Sequence, residues 1–117
     1  MSKLERLEST IQRTLSEILF KDIRNPHLNF ITITEVRLTN DFSFLKIYFT
    51  VLGGENKRKK VEEELKKSKV YIRRQLALKV KMRKSPNLIF KYDESLDYGN
   101  RIDKGLKALH NNKKEGS

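Results

Sequence analysis

The chain has 117 residues, no cysteine and a formal net charge of +11 at pH 7. This length is typical of one domain, and the missing cysteines exclude disulfides and thiolate metal sites. No apolar run reaches the roughly 20 residues that cross a membrane, and MSKLERLEST lacks a signal peptide's hydrophobic region, so we expect a cytoplasmic protein. Such a positive charge attracts polyanions, either nucleic acid or an anionic membrane face.

The first predicted element is an amphipathic helix. Its apolar residues recur every three or four positions and are Leu4, Leu7, Ile11, Leu15 and Ile18. We expect this helix to end before Asn25-Pro26, because the residue before a proline resists α-helical geometry.

Two strands follow, and the turn sequence TNDFS predicts that they form an antiparallel hairpin. In FITITEVRLT, Ile31 and Ile33 lie in one phase of the alternation, whereas Val36 and Leu38 lie in the other. A β-bulge or a strand buried on both faces would explain this slip, and the pattern leaves both open. The second strand, FLKIYFTVL, alternates regularly, with Leu45, Ile47, Phe49 and Val51 on one face.

A long helix is predicted over roughly residues 55–82, after Gly53-Gly54. Its apolar face contains Val61, Leu65, Ile72, Leu76 and Val80. Ser68 occupies the inward position that follows Leu65. A small residue there would let the helix bend or approach the sheet closely; alternatively, the serine hydroxyl bonds to a carbonyl of the preceding turn, which also bends helices.

A third strand, LIFKY, and a last helix based on Leu96, Ile102, Leu106 and Leu109 complete the predicted elements. Their order favours an α+β domain with one three-stranded sheet and helices packed on one face. The opposite face of the sheet, which carries Lys46 and Lys91, would be open to solvent or a ligand.

The excess positive charge is concentrated in the long helix and the loop after it. Residues 57 to 84 contain thirteen Lys and Arg but only three glutamates, so this segment carries ten of the eleven excess charges. Up to residue 67, ion pairs within the helix, such as Glu62–Lys66 and Glu63–Lys67, explain the charges as well as a ligand does. No acidic residue occurs from 69 to 84, so repulsion there goes uncompensated unless a partner supplies anions. We therefore predict that this part contacts nucleic-acid phosphates.

No catalytic or cofactor-binding motif is present. The sequence lacks GxxxxGK[ST], GxGxxG and HExxH, and its two histidines show no ligand spacing. Asp93, Glu94 and Asp97 are expected to cap the last helix rather than to form a catalytic pair. We expect no enzyme activity, no metal and no cofactor.

Four stretches resemble the ribosome-binding factor A family: NPHLNFITITEV, KIYFTVLG, YIRRQLA with PNLIFKYDES, and GNRI. The resemblance implies a type II KH-like RNA-binding domain over residues 1–110, followed by a polar tail, 111–117. Ordinary KH domains clamp RNA with a GxxG loop, which is absent here. The family instead kinks the long helix at an Ala-x-Gly sequence, whose counterpart is Ser68-Lys69-Val70. Val70 departs from that pattern, because a β-branched residue cannot take the positive φ that glycine permits.

The resemblance also implies a function. It predicts a non-enzymatic, monomeric assembly factor that binds 16S rRNA and the free 30S ribosomal subunit and assists late maturation, including processing of the 16S rRNA 5′ end and growth in the cold. The residues expected to contact rRNA are Lys66, Lys67, Lys69, Arg73, Arg74, Lys79, Lys81, Arg83 and Lys84, to which the resemblance adds Arg101 of GNRI. The alternatives are a permanent small-subunit ribosomal protein and a general basic nucleic-acid-binding protein.

Overall fold

The computed structural model describes residues 2–23 and 25–95 of the protein. The elements in chain order are helix α1 (Lys3–Glu17), a π-helical turn (Ile18–Asp22), a 3-10 turn (Pro26–Phe30), strands β1 (Ile31–Leu38) and β2 (Phe44–Val51), helix α2 (Glu55–Lys79) and strand β3 (Asn87–Tyr92). The predicted last helix, the polar tail and Arg101 lie outside the described residues.

Helix α1 begins with a reciprocal cap. The Ser2 hydroxyl accepts a hydrogen bond from the Glu5 amide, and the Glu5 carboxylate accepts one from the Ser2 amide. The π-helical turn continues the helix to Asp22, and Asn25 before the proline is extended, with φ −95° and ψ 119°. The predicted end of the helix before Asn25-Pro26 is therefore confirmed, for the steric reason that the proline supplies.

The sheet has the order β1-β2-β3, with β1 and β2 antiparallel and β2 and β3 parallel. Ile33 pairs with Phe49 and Glu35 pairs with Tyr48, so Thr34 is an extra residue in β1. Of the two explanations for the slipped phase, the bulge is confirmed. It turns the residues on both sides of it toward the same core, since Ile31, Ile33, Val36 and Leu38 are all buried.

Thr34 has a second role at the end of the sheet. Its hydroxyl donates a hydrogen bond of 2.6 Å to the Asp93 carboxylate, which also accepts bonds from the hydroxyl and the amide of Ser95. These bonds, led by that of the Ser95 hydroxyl, hold the pKa of Asp93 below its ordinary value. The bulge in β1 is thus tied to the end of β3 across the sheet.

Side chains of α1 also reach the outer margin of β1. The Glu8 carboxylate accepts a 2.7 Å hydrogen bond from the Leu38 amide, and the Gln12 side-chain amide donates a 3.1 Å bond to the Ile33 carbonyl. The helix is therefore joined to the strand by polar contacts as well as by its apolar face.

Both helices pack on one face of the sheet, as predicted. The core joins the apolar stripe of α1 to that of α2 over β2, where Leu45, Ile47 and Phe49 are almost completely inaccessible. On the opposite face, Lys46 is half-buried and Lys91 is exposed. Among the described residues, no element covers that face.

Helix α2 runs without interruption from Glu55 to Lys79 and therefore ends three residues earlier than expected, with Val80 extended. Ser68, Lys69 and Val70 are all α-helical. The expected kink therefore does not break the helix, because Val70 cannot replace the glycine that allows a non-helical φ. Ser68 is half-buried, and its hydroxyl has no hydrogen-bond partner in the part of the chain that the structure describes. A bend of the continuous helix at Ser68 stays a prediction.

Candidate nucleic-acid interface

The predicted RNA-contacting side chains of α2 and of the loop 80–86 are all at the surface. Those on the helix are Lys66, Lys67, Lys69, Arg73, Arg74 and Lys79, and those in the loop are Lys81, Arg83 and Lys84. These nine side chains lie on one helix and its exit loop, and their role as RNA contacts stays a prediction. Their contacts to the rest of the protein, however, divide them into different groups.

The ion pairs in the first half of α2 differ from those expected. They are Arg58–Glu62 (3.4 Å), Lys60–Glu63 (3.9 Å) and Lys67–Glu64 (3.4 Å). The expected Glu62–Lys66 and Glu63–Lys67 pairs are not formed, because the two glutamates turn toward cations in the preceding turn. Lys66 consequently has no acidic partner within residues 2–23 and 25–95 and is available to an external anion.

Arg73 has internal partners that its sequence context did not indicate. Its Nε donates a hydrogen bond of 2.9 Å to the Pro86 carbonyl, and its Nη2 donates one of 2.8 Å to the Ser85 carbonyl. The planar guanidinium thereby fastens the end of the exit loop to α2 just before β3 begins. Arg73 positions this loop, so only its remaining donors face outward.

Three other cations have neighbours within the protein. Lys79 Nζ lies 3.5 Å from a carboxylate oxygen of Asp22 at the end of the π-helical turn. Lys84 Nζ is 3.5 Å from the Ser43 hydroxyl, and the Arg83 guanidinium lies 5.2 Å from the centroid of the Phe42 ring. The ion pair of Lys79 makes it a weaker candidate for phosphate than Lys66 or Lys69.

A groove between α2 and β3, which we call the α2–β3 groove, brings the basic helix next to apolar surface. Its volume is about 590 Å³, and its lining consists of Phe49, Leu65, Ile89 and Phe90 together with Lys59, Glu62, Glu63, Lys66 and Lys69. Lys66 and Lys69 are three residues apart, so their side chains project from the same side of the helix. The sequence contained this spacing, but only the tertiary structure shows that an apolar floor lies beside it.

The described residues contain no group of three or more His, Cys, Asp or Glu side chains arranged to hold a metal ion. No helix among them is both long and apolar enough to cross a membrane.

Comparison with known proteins identifies the family. Residues 3–106 match the family model of ribosome-binding factor A. The chain is 43% identical over 109 residues to ribosome-binding factor A of Macrococcus caseolyticus, covering 93% of this chain and 96% of that protein. It is 44% identical over 105 residues to the Pelobacter propionicus protein of the same name, covering 90% of this chain and 86% of that one.

Comparison with solved structures leads to the same family. The crystal structure of ribosome-binding factor A from Thermus thermophilus superposes with a TM-score of 0.69 at 27% identity, covering 78% of this chain and 97% of that one. A Thermus thermophilus ribosome-binding factor A model fitted into the cryo-EM map of its complex with 30S superposes with a TM-score of 0.63 at 28% identity, covering 76% and 93% of the respective chains. The predicted KH-like α+β fold is confirmed. By sequence and by structure, the chain belongs to the ribosome-binding factor A family.

Proposed function

We propose that this protein is a non-enzymatic assembly factor that binds the free 30S ribosomal subunit through 16S rRNA. In this role it assists late maturation of the subunit, including processing of the 16S rRNA 5′ end, and supports growth in the cold. It acts in the cytoplasm as a monomer. Membership of the family and the 30S complex of the Thermus thermophilus relative support the proposal.

The observation that carries the RNA-binding part of the proposal is the uncompensated charge from residue 69 to 84. The Lys and Arg side chains in this span are exposed, and apart from Lys79, which pairs with Asp22, none of them forms an ion pair within residues 2–23 and 25–95. Phosphates of an RNA strand would remove that repulsion, with Lys66 and Lys69 at the rim of the α2–β3 groove and Arg74 farther along the helix. Such contacts position a protein on RNA without reading its sequence, so binding would favour one rRNA conformation through its shape.

The structure lowers the expected number of phosphate contacts near Ser68. Of the five cations between Lys66 and Arg74, Arg73 is engaged by two carbonyls and Lys67 by the Glu64 carboxylate, so three remain. With a slope of about 0.7 per contact, a fourfold rise in salt should weaken rRNA binding about twentyfold. An affinity that does not change with salt would contradict phosphate binding by these residues.

A pair of matched variants tests where the contacts lie. Replacing Lys66 and Lys69 together by glutamine should weaken binding to 30S subunits roughly twentyfold at about 0.1 M salt and reduce the salt slope by about 1.4. The control replaces Lys3 and Lys91, which are exposed on α1 and β3, by glutamine and removes the same charge. Equal losses in the two double variants would refute the assignment of these contacts to α2.

Sedimentation of cell lysate tests the assembly role separately. An assembly factor should migrate with free 30S subunits and be depleted from translating ribosomes. Migration with mature translating ribosomes would instead identify a permanent ribosomal protein. Preferential binding to duplex DNA over 30S subunits would indicate a general nucleic-acid-binding protein.

A further inference from the structure

A second concave site lies on the other side of α2 from the α2–β3 groove. It has a volume of about 370 Å³ and is lined by Pro26, His27, Phe30, Asn56, Lys57 and Lys60. We call it the Pro26 pocket. Lys57 and Lys60 point away from the side of α2 that carries Lys66 and Lys69, because each residue advances the helix by about 100°. The two sites are therefore separate surfaces.

The 3-10 turn that forms one wall of the Pro26 pocket is held in place by Asn25. The Asn25 side-chain carbonyl accepts a 3.0 Å hydrogen bond from the His27 amide, and its Nδ2 donates a 2.6 Å bond to the Glu64 carboxylate on α2. The Asn25 bond is the main reason why the pKa of Glu64 lies below its ordinary value. At the other end of the turn, the Phe30 carbonyl accepts a bond of 2.9 Å from the Leu52 amide.

Gly53 makes room for Lys57, which forms part of the second wall of the Pro26 pocket. Its φ is +121°, and a Cβ atom at this position would clash with Lys57 Cδ. In the space that the glycine leaves, the Lys57 side chain extends to the Phe30 ring, with Nζ 3.5 Å from the ring centroid. A lysine and an exposed aromatic ring are thus brought together by residues from two parts of the chain.

The charge of the Pro26 pocket distinguishes it from the first groove. None of its six lining residues is acidic and two are lysines, whereas Glu62 and Glu63 line the α2–β3 groove. The only ion pair of Lys60 within the described residues is the 3.9 Å contact with Glu63, whose side chain is exposed. Apolar and aromatic walls beside cations match a nucleobase with its phosphate.

A line of cations leads away from the Pro26 pocket along α2. Lys60, Lys67 and Arg74 are spaced by seven residues, so they lie on one side of the helix at intervals of about 10.5 Å. A strand of RNA with one base in the pocket would pass these three side chains. An acidic peptide would also meet cations, but it would leave the aromatic wall without a planar partner.

We propose that the Pro26 pocket binds one unpaired nucleotide of 16S rRNA, with its base against Phe30 and His27 and its phosphates at Lys57 and Lys60. This inference rests on the proposed function and adds a base-stacking site to the phosphate contacts described above. Stacking on an aromatic ring depends little on salt, whereas phosphate contacts depend on it strongly. The two kinds of contact can therefore be measured separately in one binding assay.

The test is the Phe30→Leu variant, with binding measured to naked 16S rRNA and to 30S subunits over a range of salt. Loss of one stacked base should weaken both affinities about tenfold and leave the salt slope unchanged. Phe44→Leu is the matched control, because Phe44 is 43% exposed and Phe30 is 36% exposed, on a different part of the surface. Affinities of the two variants that agree within twofold would overturn the inference.

Two further outcomes are decisive. If Phe30→Leu weakens binding to 30S subunits but not to naked rRNA, the pocket contacts a ribosomal protein and the inference is wrong. If the unaltered protein binds neither RNA nor subunits, the proposed function itself fails. Photocrosslinking with 4-thiouridine-substituted 16S rRNA checks the site without any variant: crosslinks within residues 25–30 support it, and crosslinks confined to residues 66–84 contradict it.

Discussion

Replacing Arg73 by methionine tests whether this predicted phosphate ligand has a structural role. The change keeps an unbranched chain for packing but removes the donors to the Pro86 and Ser85 carbonyls. A hydrogen bond with one charged partner contributes about 1.5–3 kcal/mol when it is buried. The bond to Pro86 is partly buried and the bond to Ser85 is exposed, so we expect a total loss of about 2 kcal/mol.

Urea and thermal unfolding followed by circular dichroism measure this loss. For a domain of this size, about 2 kcal/mol corresponds to a decrease of roughly 8 °C in Tm. Arg73→Lys should lose about half as much, because it retains the charge and one donor. The control is Arg74→Met on the neighbouring residue, which has no hydrogen-bond or ion-pair partner among residues 2–23 and 25–95.

Substitution of Arg73 should therefore mainly affect stability, whereas substitution of Arg74 should mainly affect rRNA binding. We expect Arg74→Met to change the unfolding free energy by less than about 0.5 kcal/mol and to weaken rRNA binding about fivefold at about 0.1 M salt. Equal stability of the Arg73→Met and Arg74→Met proteins would refute the role of the guanidinium in fastening the loop 80–86.

Three further changes test other parts of the structure. Ser68 is half-buried, so Ser68→Leu should crowd the packing there and lower the unfolding free energy by about 1–3 kcal/mol relative to Ser68→Ala. Equal urea midpoints would show that the position accommodates a leucine. The hydrogen bonds to Asp93, led by that of the Ser95 hydroxyl, lower its pKa from the ordinary value, so the stabilisation they give is present above the ordinary pKa of an aspartate and is lost as the pH falls through the lowered one. The stability of the Asp93→Asn protein should therefore lack this decrease at acid pH. If its stability falls with pH as steeply as that of the unaltered protein, the hydrogen bonds to Asp93 do not contribute. Gly53→Ser should lower the unfolding free energy by about 1–3 kcal/mol, because a serine is strained at the positive φ of this position. Gly54→Ser should leave the unfolding free energy unchanged, because serine is a good N-cap residue for α2. Similar thermal midpoints for the two variants would contradict this difference.

Hydrophobic periodicity predicted α1, α2 and the three strands, but not the π-helical turn or the 3-10 turn Pro26–Phe30. The apolar positions of α1 and α2 face the core as expected, although Leu4 and Leu7 at the start of α1 are only half-buried, because each pattern reflects which side of an element meets the core. The slip in β1 was visible too, but its cause was not. Deciding for the bulge requires the pairing of Ile33 and Glu35 with neighbouring residues of β2, which is a property of two strands together.

The candidate interface was predictable only in part. The segregation of charge is a property of the sequence, so the basic surface of α2 could be recognised without coordinates. The partners of individual side chains could not be predicted from the sequence, because they lie far away along the chain. Arg73 bonds to carbonyls twelve and thirteen residues away, and Asn25 bonds to Glu64 thirty-nine residues away. For the same reason the Pro26 pocket was missed, since its walls come from a turn and a helix that are separated by the whole hairpin.

The contacts of Glu8 and Gln12 with β1 have a consequence for self-association. A strand at the margin of a sheet ordinarily offers free amides and carbonyls with which another molecule can pair, and this pairing begins aggregation. Here the Leu38 amide and the Ile33 carbonyl are already bonded to side chains of α1. A second molecule that added a strand alongside β1 would first have to displace both side chains, so this margin is protected against intermolecular sheet growth.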